Sequence, residues 1–225
     1  MSKANESGVL HRRDAIRAIA ADDAQRLSAD ERADRLFDFC AEDWSDEPDW
    51  MAIEPAIRDA LEDDDVADPM DPRFEPAPIL RLAAGFAGAT NAYLLERLNA
   101  IRSDVRAIEG ELEARVACPC CGRRTLRSRG DFEICPVCWW EDDGQDNKRA
   151  DDAYGGPNGS INLTQARRNA IVHGLYDPKR VDLAPKCAPA EKYPRGRVFV
   201  LDEDAGVIAE QGANWTARID PAASD

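Results

Sequence analysis

Between Leu10 and Leu27 the apolar residues Ala15, Ile16, Ile19, Ala20, Ala24 and Leu27 recur with charged residues between them. Steps of three and four predict an amphipathic helix. Ser28 followed by Glu31 is the capping box of a second helix, whose apolar positions Ala33, Leu36, Phe37, Phe39 and Cys40 run into the acidic stretch AEDWSDEPDW. A third helix is predicted from Trp50 to Leu61, with Trp44 and Trp50 as core aromatics. The like charges of Glu62 to Asp65 and the prolines up to Pro78 then predict an extended linker.

The longest periodic pattern follows. Leu80, Ala84, Ala87, Asn91, Leu94, Leu98, Ile101, Val105, Ile108 and Leu112 alternate steps of four and three, a heptad seam. It predicts one long helix, about 50 Å in length, over residues 76–117. That helix would form a coiled-coil homodimer through residues 80–112, with Asn91 setting the register, or would pack on the N-terminal helices as a bundle. Gly85, Gly88 and Gly110 interrupt the pattern. Both arrangements remain open.

Cysteines then take over. Cys118 and Cys121, and again Cys135 and Cys138, are each separated by two residues, the spacing that brings two sulfurs of a tight turn to one ion. The four are assigned as ligands of a single structural zinc, with no position left open for substrate. Only 13 residues separate Cys121 from Cys135, too few for a core, so metal binding must supply the folding energy. Strands at Thr125 to Ser128 and Asp131 to Ile134, joined at Arg129-Gly130, are predicted to form the hairpin of a zinc ribbon. Cys120 is a fifth thiol at unsuitable spacing, and reactivity beside Arg123 and Arg124 is its alternative role. Cys40 and Cys187 read as bystanders. His11 and His173, the two histidines, stand at no ligand spacing from the knuckles.

Beyond the second knuckle, Trp139 and Trp140 are predicted to cover the metal. Glu141, Asp142, Asp143 and Asp146 form an acidic loop, a docking surface or a second cation site, although the alternating ligands of a calcium loop are absent. Gly155 to Gly159 make a turn. A helix from Leu163 to Val172 is capped by Asn162 or Ser160 and ended by Gly174; Leu163, Ala166, Ala170 and Ile171 face inward and Arg167 and Arg168 outward. A hairpin of Arg197 to Leu201 and Val207 to Glu210 is predicted in the tail.

The CPCCG run, G-x-F-E-I-C-P-V-C, W-E-D-D-G-Q-D, G-G-P-N-G and A-R-x-N resemble the bacterial cysteine-rich CPCC family over roughly Cys118 to Gly174. The resemblance implies a zinc-ribbon-like fold with a bound metal, and no reaction.

The expected class is α+β: an acidic helical region (residues 1–75), a long helix (76–117), the cysteine-rich domain (118–176) and a tail with a hairpin (177–225). Charge narrows the function. Of the net −15, residues 1–76, with 9 basic and 22 acidic side chains, carry −13, which leaves −2 for the other 149. Such a surface repels phosphate backbones and suits a cationic protein. No long apolar span is present, and charges interrupt the start where a signal peptide needs an apolar stretch, so the cytoplasm is the expected compartment. The sequence therefore predicts a non-catalytic, zinc-binding interaction protein, for example an antitoxin or immunity-type protein. The alternatives are a nucleic-acid-binding ribbon using Arg123, Arg124, Arg127 and Arg129, and thiol redox or transferase chemistry at Cys120.

Overall fold

The Ser28 hydroxyl accepts the Glu31 N–H at 3.3 Å, and the Glu31 carboxylate accepts the Ser28 N–H at 2.9 Å. This capping box opens α2 (Ala29–Cys40), which follows α1 (Arg12–Gln25). The computed structural model describes residues 8–40, 44, 47–63 and 66–219. It divides into two units, Met1–Leu112 and Glu113–Asp225. The class is α+β. Apart from Trp44 and Glu47 to Trp50, the acidic stretch AEDWSDEPDW lies outside the described residues, as do Asp64 and Asp65.

In the first unit the third predicted helix is two, α3 (Pro48–Met51) and α4 (Pro55–Glu62). Pro55 is the reason: the residue before a proline is driven out of the helical region, and Glu54 sits at φ −54°, ψ 134°. Pro76 and Pro78, assigned to a linker, instead open α5 (Pro76–Ala84). In a first turn the missing N–H costs nothing, because that donor has no intrahelical partner.

The long heptad helix is not formed. After α5 the chain turns through Gly85 to Gly88, and Thr90 caps a separate α6 (Asn91–Asn99) by accepting the Tyr93 N–H at 3.1 Å. From there it passes into β2 (Ala107–Glu109), which pairs in parallel with β1 (Val9–His11). The apolar positions of the apparent seam are therefore shared among several elements. Leu94, Leu98 and Val105 are buried with Ala15, Ile19 and Phe86 of the same unit. Asn91, expected to set a dimer register, accepts from Arg12 at 2.7 Å and donates to Gly110 O at 3.1 Å. A second cluster gathers Leu36, Phe39, Trp44, Trp50, Ile57 and Leu61. Trp44 stacks on Phe39 at 4.7 Å. Not all of the predicted apolar face of α2 is inward: Phe37 is 67% exposed.

The second unit is built of short pieces. β3 (Val116–Ala117) pairs antiparallel with β4 (Arg124–Leu126). After a long irregular stretch come α7 (Leu163–His173) and a sheet of β5 (Phe199–Asp202), β6 (Val207–Glu210) and β7 (Thr216–Arg218) in that order. The predicted tail hairpin is β5–β6, to which β7 adds an edge. Cys118, Leu126, Trp140, Leu163, Tyr176 and Tyr193 share one core.

Candidate metal centre

Each knuckle sits at the tip of its own ladder. In the first, β3 enters and β4 leaves: Cys118 N–H donates to Arg123 O at 2.8 Å, and Gly122 N–H donates back to Cys118 O at 3.0 Å. In the second, Cys135 N–H donates to Trp140 O and Trp139 N–H to Cys135 O, both at 2.9 Å, with Ile134 opposite Glu141. The predicted hairpin of Thr125 to Ser128 against Asp131 to Ile134 is thus replaced. Arg124 and Leu126 pair backward to β3, and the residues around Ile134 pair forward across the second knuckle. A thiol pair at the tip of a tight turn needs its ladder on both flanks, which one hairpin between the knuckles does not give.

The two tips bring four sulfurs together. The ligand atoms of Cys118, Cys121, Cys135 and Cys138 all lie within 4.8 Å of one another. Cys118 to Cys138 and Cys121 to Cys135 are each 3.7 Å apart. A disulfide requires about 2.05 Å, whereas thiolates about 2.3 Å from a tetrahedral ion stand about 3.8 Å apart. The set therefore fits a metal ion. Cys118, Cys135 and Cys138 are fully buried and Cys121 partly so. Burial pushes the Cys118 and Cys138 thiols up. Burial acts likewise on Cys135, but hydrogen bonds from the three neighbouring thiols and Thr125 outweigh it and hold that sulfur below its usual value. Thr125 Oγ1, 3.3 Å from Cys135 Sγ, is a donor that spacing alone did not single out.

Cys120 is buried but outside this set. Trp140 is completely buried in the core around the thiols, and Trp139 packs on it partly exposed. Neither histidine belongs to the four-thiol group.

The surrounding polar residues are staples. Arg167, expected to face solvent, is fully buried: its Nε donates to Pro119 O at 2.8 Å, holding the first knuckle to α7. Its guanidinium lies 4.3 Å from both the Phe199 and Trp215 rings and 3.6 Å from Asp146. Burial, then repulsion by Arg197, pulls its pKa down to about 10, so it stays charged at neutral pH. Asp142 is fully buried, paired with Arg129 at 2.7 Å and bonded to Gly130 N–H at 2.9 Å. Asp146 meets Arg129 at 2.9 Å and Arg197 at 2.8 Å. Burial alone would raise this carboxyl, but those bonds hold it at about 2. Asn158 bridges the backbone of Glu141 in both directions, at 3.1 and 2.8 Å. Two acids of the predicted cation loop are thus engaged by arginines.

The arginines proposed for nucleic acid have partners of their own. Arg123 donates to Tyr193 O, Arg124 to Arg115 O, and Arg127 lies 3.4 Å from Glu133.

Residues 116–191 match the Cysteine-rich CPCC family. The CPCC segment runs from β3 beyond α7 and takes in Cys187. Its W-E-D-D-G-Q-D, G-G-P-N-G and A-R-x-N runs supply Asp142, Asp146, Asn158 and Arg167, the side chains that tie loop, turn and helix to the knuckles. No curated protein and no solved structure matches the chain.

Proposed function

We propose that the CPCC segment is a zinc-stapled domain and that the acidic helical unit docks a cationic protein partner. The observation that carries the reading is the closed set of four sulfurs, all within 4.8 Å of one another and two pairs of them 3.7 Å apart. Four thiolates favour zinc, and a completed tetrahedron leaves no place for a reacting molecule. Zinc bound there supplies folding energy to a segment of two- and three-residue strands, too short to fold unaided.

The partner reading rests on α2. Its outer face presents Asp30, Asp34 and the 67% exposed Phe37 at helical spacing, a ring to bury and carboxylates to steer a basic surface. An antitoxin or immunity-type protein that blocks a basic toxin is one concrete form. Native mass spectrometry of chain purified without added metal tests the first half. One zinc per chain is expected, lost in Cys135→Ser; an apo chain with ordered knuckles refutes it. For the second half, Phe37→Ala with Asp34→Asn weakens capture of the cationic partner roughly tenfold, and added salt weakens it further. Binding indifferent to both rejects the docking face.

A further inference from the structure

Beside the thiol centre, within the second unit, lies a cavity of about 460 Å³, a size that accepts a small organic molecule. Val137, Leu175 and Phe199 contribute apolar wall, and Arg123, Arg195 and His173 contribute its cationic and titratable groups. Among the described residues no aspartate or glutamate lines it.

Arg123 and Arg195 stand opposite each other as antiparallel bridge partners, so their like charges repel. Arg123 is fixed by its 3.1 Å bond to Tyr193 O. Like charges held together on a cavity wall are stabilised by an anion between them. The C-terminal end of α7 reaches the same wall at His173 and Gly174 and disfavours negative charge there. An anionic group therefore belongs on the arginine side.

We propose that this cavity binds a small organic anion, its charged group on Arg123 and Arg195 and its apolar body against Val137, Leu175 and Phe199. The site is separate from the docking face on α2 and does not depend on it. The competing account is that Arg123 serves only to offset the charges of Cys121, which also lines the cavity, and of nearby Glu191.

Cys187, half-buried in the cavity wall, reports on occupancy. The zinc-loaded full chain is treated with dithionitrobenzoate, an aromatic disulfide dianion, and separately with cystamine, a disulfide dication. In each reaction the Cys187 thiolate, its proton lost to solvent, attacks one sulfur of the reagent. The reagent S–S bond breaks, a mixed disulfide forms, and the released thiolate carries off the electron pair. Peptide mapping gives separate rates for Cys187 and for Cys40 in the acidic helical unit.

The aromatic leaving thiolate makes dithionitrobenzoate intrinsically the faster reagent at any thiol, so the dianion-to-dication rate ratio at Cys40, lowered by the acidic surface there, is the reference. At Cys187 the ratio is higher. Arg195→Gln, which alters an exposed side chain, lowers the dianion-to-dication ratio at Cys187 roughly fivefold, and Arg123→Gln with Arg195→Gln roughly tenfold, without changing the ratio at Cys40. A Cys187 ratio no higher than that at Cys40 overturns the proposal. So does a Cys187 ratio indifferent to Arg195→Gln, including the case where the double variant merely loses zinc, which supports the competing account. Failure of both reagents at Cys187 shows the cavity closed to such molecules and overturns it as well.

Discussion

Gly122 and Trp139 occupy the same place in the two knuckles, each following the second cysteine, and both take positive φ, 76° and 62°. The turn that aims two sulfurs at one point demands that conformation. Glycine meets the demand freely, and at Gly122 a Cβ would also collide with the carbonyl of Arg197. Trp139 accepts the strain, with its ring packed against the core. Glycine announces such a turn in a sequence, whereas a tryptophan gives no comparable sign. Arg167 shows the opposite failure. A charged residue on a short helix reads as solvent-facing, yet here it spans from α7 to Pro119 O between two aromatic faces. Arg167→Ala is expected to destabilise the metal-loaded chain by about 3 kcal/mol, from the lost charged hydrogen bond and ring contacts. Arg167→Met recovers about half of that by refilling the space between the rings while leaving Pro119 O unpaired. Urea midpoints of the three proteins measure both steps.

Elements were legible where their end signals are local. The Ser28–Glu31 box and the stop at Gly174, whose φ is 75°, stand where the residue types put them. Asn162 accepts the Gln165 N–H at 2.8 Å and Gln165 returns a bond to the Asn162 N–H at 3.3 Å, while Asn162 Nδ2 also holds Asp151 O at 3.2 Å. Asn162→Ala is therefore expected to cost about 1–2 kcal/mol, read as a lowered thermal midpoint; Asn162→Asp, which keeps the acceptor, loses less than half as much. Where the reading failed, a periodic pattern was carried across residues that cannot continue a helix. Gly85 to Gly88 and the Thr90 cap divide the heptads, and Leu94 and Leu98, which looked like part of a dimer seam, fill the core of their own unit, while Leu112 is exposed. Apolar spacing records which residues are buried, without recording whether one helix or several elements present them.

Across the second unit, distant segments are joined by one ionic cluster in which Asp146 meets Arg129 and Arg197, and Arg197 also holds Glu210 at 2.7 Å. The direct bond from Arg197 lowers Glu210 as well. Both carboxylates are depressed in the fold, so their stabilisation is fully present above the unfolded values, about 4, and for Asp146 is lost as pH falls through about 2. The stability gap between the chain and Asp146→Asn is thus expected to be constant at neutral pH and to close progressively below about pH 4. Comparing the two proteins at each pH removes the common effect of acid on the thiols. A gap that closes near neutrality assigns it to another group. By itself the sequence determined the α+β class, the first two helices, the capped helix after the knuckles and the four cysteines that meet, because all of these rest on spacings within a few residues. Only tertiary structure decided which ladder carries each knuckle, that the heptad positions are divided among several elements, and that Arg129, Asp142, Asp146 and Arg167 are interior staples. Those outcomes depend on which polar groups are brought together and desolvated, and distant partners such as Asp146 and Arg197, 51 residues apart, leave no periodic trace along the chain.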